Sequence, residues 1–229
     1  MDDMNFSRNS NKEKYFFIVF LCCYIVIFVV RLPKMLQSSI MISPIQIVVI
    51  QAITYALLFL GTVSLFRREL LGSIRAWKLA PVKNMLWLLG ALVAEQILPS
   101  IAAYPAYALG HEEAVTANSA GILLLFQAIG KPLALLVVGL AGPVVEESIF
   151  RAFLIGRARA KIPVWVCIII SSLLFALTHM QGFTVVDLLG VLPYFATGTV
   201  FGIAYAVTGN ISLPLILHIA NNMMGLSVL

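Results

Sequence analysis

A polytopic bundle of membrane helices, all-α with about seven spans and a range of six to eight, is the fold class this sequence predicts. Three observations carry it. The 229 residues are 61% hydrophobic and only 11% charged, against roughly 45–50% apolar and 25% charged in a soluble domain. The mean hydropathy is +1.01, more apolar surface than a globule of this size can hide, so the excess faces lipid. The apolar residues form continuous runs rather than alternating with period two, which argues against a β-barrel. The same balance excludes a soluble enzyme, a disordered tail and a nucleic-acid binder, although the pI is near 9.2.

A helix crossing the hydrocarbon core needs about 20 mostly apolar residues. Such runs stand at roughly 15–31, 44–66, 85–109, 121–156, 162–180, 184–207 and 211–228. The first follows Lys12 and Lys14, as a signal peptide would. Its apolar stretch is long for one, however, and Arg31-Leu32-Pro33-Lys34 is no small-residue cleavage site, so it reads as a retained anchor. The fourth run is too long for one span and is broken by Lys131, Pro132 and Pro143. Pro99 and Pro105 in the third, and Pro193 in the sixth, could break helices around a site.

The 15 Lys and Arg residues set the expected orientation. Eleven of them gather in the N-terminal tail (Arg8, Lys12, Lys14), between the second and third runs (Arg67, Arg68, Arg75, Lys78, Lys83) and after the fourth (Arg157, Arg159, Lys161). Short loops rich in Lys and Arg stay in the cytoplasm, so these segments and the N-terminus are expected there. Segment 111–121 has two glutamates and no Lys or Arg, and is expected outside. The basic loop 67–83 reads first as an orientation signal, with contact to anionic lipid as the alternative. Cys22, Cys23 and Cys167 are odd in number and lie in apolar runs, which implies neither a disulfide framework nor a thiolate metal site. Without internal repeats or low-complexity stretches, residues 1–229 read as a single integral membrane domain.

Ionisable groups inside apolar runs are costly, about 2.5 to 3.5 kcal/mol each at a helix centre. They persist when paired, when facing a cavity or when doing chemistry. The candidates are Glu95, Glu146, Glu147, Arg151, His179, Asp187 and His218. The densest cluster is Glu146-Glu147-Ser148-Ile149-Phe150-Arg151, with Pro143 just upstream suiting a helix start or kink. Glu147 and Arg151 are four apart and share a helix face, so they can form an ion pair. Glu146 is rotated about 100° away from that pair. A carboxylate in such a low-dielectric place suits a general base or acid; the plainer reading is solvation at the interface.

Phe175 and His179 are four apart, so an aromatic wall and an imidazole share a face. His218 and Asn222 are also four apart and present two side-chain donors. Two such donors can hold a developing oxyanion, or equally serve as hydrogen-bonding glue between spans. A base, an orienting histidine and oxyanion donors are the parts needed for attack of water on a carbonyl. Glu146, His179 and His218 could instead hold a metal such as zinc, since three N/O ligands plus water make a catalytic site. Other intramembrane chemistries lack their residues. There is no His-Glu-x-x-His motif, Asp187 is the only aspartate within the apolar runs, and no serine has a Gly-x-Ser-Gly setting. Glu95 could line the same cavity or pair with a neighbouring helix, and receives no role. Asp187 follows Gly182 near a helix start, where a carboxylate suits the N-terminal dipole.

At these residues the chain resembles the CAAX-protease and bacteriocin-processing (CPBP, or Abi) family of intramembrane proteases. The resemblance rests on Glu-Glu-x-x-x-Arg at 146–151, Phe-x-x-x-His at 175–179 and His-x-x-x-Asn at 218–222, in this order on successive helices. It covers roughly residues 140–225. This divides the chain into N-terminal spans at 1–130, without recognised motifs, and a catalytic core at 131–229.

The resemblance implies an all-helical fold around a polar cavity in the C-terminal half, and proteolysis of peptide or membrane-protein substrates. Carried over, Glu146 and His179 would activate water, His218 and Asn222 would stabilise the oxyanion, and Glu147, Arg151 and Phe175 would support them. No cofactor is required in the preferred, metal-free version; a divalent metal is the alternative. Short prokaryotic members of this layout look like proteins encoded beside bacteriocin genes, which implies a bacterial cell membrane and a role in peptide maturation or self-immunity. A non-catalytic immunity or binding scaffold is the competing reading. A small transporter, suggested by Glu95, Asp187 and the internal prolines, is the third.

Overall fold

The computed structural model describes residues 43–180 and 182–227, together with Ile18. Among the described residues every regular element is helical. In chain order they are α1 (Pro44–Leu65), α2 (Arg67–Leu79), α3 (Pro81–Ala108), α4 (Glu112–Ile129), α5 (Lys131–Ala158), α6 (Val164–Leu177), α7 (Val185–Thr208) and α8 (Ser212–Ser227). Helices α1, α3, α5 and α7 are long and apolar enough to cross a membrane. The expected span at 15–31, the N-terminal bases and Cys22 and Cys23 lie outside the described residues.

Local chemistry sets several of the helix ends. Ser43 caps α1 with Gln46 in a reciprocal capping box, and Thr184 caps α7 with Asp187 in the same way. Asp187 is therefore a structural residue of a helix start, accepting from the Thr184 backbone and hydroxyl. Helix α7 ends at Gly209 in the left-handed region, φ 64°.

Three features differ from the sequence expectation. The long apolar run divides at Gly130, whose φ of 81° turns the chain between α4 and α5. Pro143 does not break it. That proline lies inside α5, directly after a π-helical stretch (Leu135–Ala141) in which the Gly142 amide reaches back five residues to the Val137 carbonyl. The widened turn shifts the hydrogen-bond register ahead of a residue that has no N–H to give. Pro99, Pro105 and Pro193 likewise sit inside continuous helices, so no broken helix surrounds the site. Finally, the basic segment read as a loop is a helix, α2, that runs unbroken to Leu79, just short of Pro81.

Helix α5 is the axis of the bundle. Its Val145, Ile149, Phe150, Ala152 and Ile155 form one core with Leu58 and Phe66 near the end of α1, Phe175 of α6 and Tyr205 of α7. A helix buried on nearly all sides can be apolar around its whole circumference, which is why its sequence shows no amphipathic stripe. Leu57, Leu60, Val93 and Ile101 on the outer helices remain exposed, as a lipid-facing surface requires, and so does Leu136 near the start of α5.

Helix–helix approach in lipid depends on small residues. A Cβ added at Gly190 of α7 would stand 2.6 Å from the Ala114 carbonyl oxygen of α4, and one at Gly198 would stand 3.0 Å from Ser172 Cα of α6. Backbone cannot yield as a flexible side chain can. Gly190→Ala is therefore expected to lower thermal stability in detergent by about 1–3 kcal/mol, despite a helix-propensity gain of about 1 kcal/mol. Gly90→Ala on α3, where a Cβ meets nothing within 4 Å, should leave the melting midpoint unchanged or raise it.

Candidate active site

Two carboxylates from adjacent positions of α5 reach in different directions. Glu147 is fully buried, and each of its oxygens has a different partner: Oε2 lies 3.1 Å from Arg151 Nε, and Oε1 lies 2.8 Å from His218 Nδ1 on α8. Glu146 accepts a 2.7 Å hydrogen bond from the Tyr55 hydroxyl of α1 at Oε1. Its Oε2 faces His218 Nε2 at 3.8 Å. The His218 ring thus stands between the two carboxylates, with the closer one fixing its orientation.

Arg151 is as buried as Glu147. Its Nη2 donates to the Gly198 carbonyl of α7 at 3.1 Å, and its guanidinium lies 4.8 Å from the Phe175 ring centre and 5.5 Å from that of Phe201. Aromatic faces replace part of the solvation that a buried cation loses. Phe175 also meets His218 edge-on at 5.6 Å and His179 at 4.9 Å, so one ring links both histidines and the arginine.

His179 follows the last turn of α6. Its Nδ1 lies 3.1 Å from the Phe175 carbonyl and 3.1 Å from the Thr178 hydroxyl, and its ring stacks on Tyr194 of α7 at 4.1 Å. Donation from Nδ1 to that carbonyl leaves Nε2 as the acceptor. Asn222, one turn beyond His218, donates to the Val138 carbonyl at 2.9 Å. Val138 lies in the first π-helical stretch of α5 and Phe150 in a second one (Ser148–Ile155), and the Phe150 carbonyl accepts from Ser171 of α6 at 2.7 Å. Side chains of α8 and α6 thereby take up carbonyls in the two irregular stretches of α5.

Glu146, Glu147, Arg151, Phe175, His179, His218 and Asn222, the seven site residues that the resemblance implies, therefore lie on, or just past the end of, α5, α6 and α8. Glu146, Glu147, Arg151 and His218 form one polar contact chain, and Phe175 joins His179 to it. The three proposed metal ligands are not gathered around one point: among the described residues no group of three or more His, Cys, Asp or Glu side chains is placed to hold a metal ion.

Two further residues come from the N-terminal spans. Tyr55 had no role in the sequence reading; the signal was a phenol in the middle of an apolar run. Glu95 of α3, 4% exposed, accepts from Thr197 of α7 at 2.8 Å and lies within electrostatic reach of His218, Arg151 and Glu147. Its Oε2 is buried with no hydrogen-bond partner among the described residues.

Residues 128–224 match the Rce1-like family, described as type II CAAX prenyl endopeptidases. That segment contains α5 to α7, most of α8 and all seven sequence-derived site residues. The likeness is that of this C-terminal segment, less than half of the chain. It is 32% identical over 143 residues to the putative membrane peptidase YdiL of Bacillus subtilis, covering 61% of this chain and 54% of that protein. It is 27% identical over 114 residues to the membrane-embedded CAAX protease MroQ of Staphylococcus aureus, covering 47% and 43%. An uncharacterised 24.3 kDa protein of Escherichia coli is 31% identical over 96 residues, covering 41% and 43%. The chain spans about half the length of the curated relatives it matches. No solved structure matches it significantly. Tyr55 and Glu95 lie outside the family segment.

Removing Arg151 leaves the buried Glu147 carboxylate to His218 alone among the described residues. Arg151→Met is expected to cost about 3–5 kcal/mol, and adding Glu147→Gln should recover part of that loss. Thermal unfolding of the single and double variants in detergent measures both.

Proposed function

We propose that the protein is an intramembrane endopeptidase that hydrolyses peptide bonds of membrane-associated peptides or proteins, with Glu146 as the general base. The observation that carries this reading is the His218 ring held by buried Glu147 with its second nitrogen facing Glu146. Two atoms 3.8 Å apart can both reach one water oxygen at about 2.8 Å. The match of residues 128–224 to the Rce1-like family and the name of the Staphylococcus aureus relative support peptide hydrolysis as the reaction.

The steps follow from the side chains. The water oxygen bonds to the peptide carbonyl carbon as its proton passes to Glu146. The carbonyl oxygen becomes an oxyanion, which accepts from protonated His218 Nε2. Glu147 stabilises that imidazolium through Nδ1–H, the orienting part a carboxylate plays beside a catalytic histidine. Asn222 carries a second amide hydrogen beyond the one given to Val138, available to the same oxyanion. His179 holds the attacking water through Nε2. The C–N bond then breaks, the proton on Glu146 passes to the leaving amine, and a new carboxyl and a new amino terminus separate. Tyr55 keeps Glu146 aimed at the water and supports its ionised form.

The Lys and Arg distribution supports a cytoplasmic N-terminus, and the resemblance to bacteriocin-linked proteins supports peptide maturation or self-immunity as the biological use.

The test is a mass-spectrometric survey of new peptide termini in cells making wild type or Glu146→Gln at matched membrane abundance. Termini produced by wild type and absent from the variant are expected, with cleavage falling about 10²–10⁴-fold. Identical surveys would sink the enzyme reading in favour of a binding scaffold, because Glu146→Gln keeps size and hydrogen bonding. Tyr55→Phe should leave abundance intact and slow cleavage about 10-fold or more, the worth of one hydrogen bond to a charged group.

A further inference from the structure

Helix α2 joins the ends of two spans, separated from α1 by Phe66 alone and from Pro81 of α3 by Ala80 alone. It therefore lies at the level where the bundle meets the membrane surface. Its inner side is pinned to the bundle. Ser73 is buried, the Trp77 indole N–H donates to Ser212 Oγ at 2.6 Å, and the Ala76 carbonyl accepts from Asn84 at 3.0 Å.

The other side is unusual in its mixture. Arg67, Leu71, Ile74, Arg75 and Lys78 follow one helical stripe and are all exposed, with Leu79 beside them. Leu71, Ile74 and Leu79 are 55%, 57% and 74% exposed. A helix that merely faced water would keep such side chains inward. A helix lying among lipid headgroups uses both kinds at once: Leu and Ile enter the top of the acyl region, and the Arg and Lys stems run outward to the phosphates.

We propose that this outward face of α2 is a docking surface for anionic phospholipid headgroups. Charge complementarity selects the occupant. The bases Arg67, Arg75 and Lys78, interleaved with apolar side chains, match a negatively charged bilayer surface. Each base near such a surface is worth about fivefold in association. The Trp77–Ser212 bond attaches the surface to the first residue of α8, on the same helix as His218.

The full chain is reconstituted in phosphatidylcholine vesicles carrying spin-labelled phosphatidylglycerol or spin-labelled phosphatidylcholine, and the immobilised fraction of each label gives the headgroup preference. Wild type is expected to favour phosphatidylglycerol severalfold at low salt, with the preference falling in about 0.5 M salt, as a Debye length of about 4 Å requires. Combining Arg67→Gln, Arg75→Gln and Lys78→Gln should abolish most of it. The same neutralisation at Arg157, Arg159 and Lys161 should not. Equal association of both lipids with wild type would overturn the proposal and leave the face to a protein partner. A preference untouched by the α2 variant, or lost instead in the control variant, would overturn it too. This readout needs no proteolysis, so it stands apart from the assignment of activity.

Discussion

Everything around the site depends on how Glu147 is neutralised. A carboxylate removed from water costs several kcal/mol even after relaxation, and a guanidinium beside it costs as much again. The structure meets both costs with one arrangement that runs through three helices. Glu147 gives one oxygen to Arg151 on its own helix and the other to His218 on α8, while Arg151 reaches the Gly198 carbonyl on α7. Phe175 of α6 lays its ring against the guanidinium. If α5, α7 or α8 rotated, a buried charge would lose a partner, so the network sets helix positions as well as side-chain positions. The imidazole is held as a by-product of solving a solvation problem.

The same logic explains why an N-terminal helix matters to a site built from the C-terminal half. Thr197 donates to Glu95 of α3, and its neighbour Gly198 receives Arg151. Adjacent residues of α7 thus carry one contact to a buried carboxylate on α3 and another to the buried cation. Gly198 has to be small here, because Ser172 and Phe175 of α6 crowd the place a Cβ would take. The glycine that permits the α6–α7 approach also offers the carbonyl that anchors the arginine.

Much of this is legible in the sequence. Charges inside apolar runs are rare enough that, Asp187 at its helix cap apart, each one lies in the polar cluster or beside it, and spacing by four is sufficient to bring Arg151 onto the face of Glu147. The class of fold follows from composition alone. Helix ends are less legible: Gly130 divides the fourth run because of a backbone angle, and the π-helical stretches of α5 depend on Asn222 and Ser171 arriving from other helices. Tyr55 is illegible for the same reason, since a hydroxyl in an apolar helix declares a partner but not which one. In the basic segment 67–83, apolar residues at helical spacing (Leu70, Ile74, Trp77) are interleaved with five bases, so its charge reads as a loop although its spacing fits the helix it forms.

The two helices that bring the histidines are short. At about 1.5 Å per residue, α6 with 14 residues and α8 with 16 reach about 21 and 24 Å, less than the roughly 30 Å of hydrocarbon they stand in. A bilayer beside such helices thins, or the headgroup region sinks to meet their ends. His179 lies just past the end of α6, and His218 within the first two turns of α8. Both histidines thus stand near a helix end, on the two helices beside which a bilayer would have to give way most.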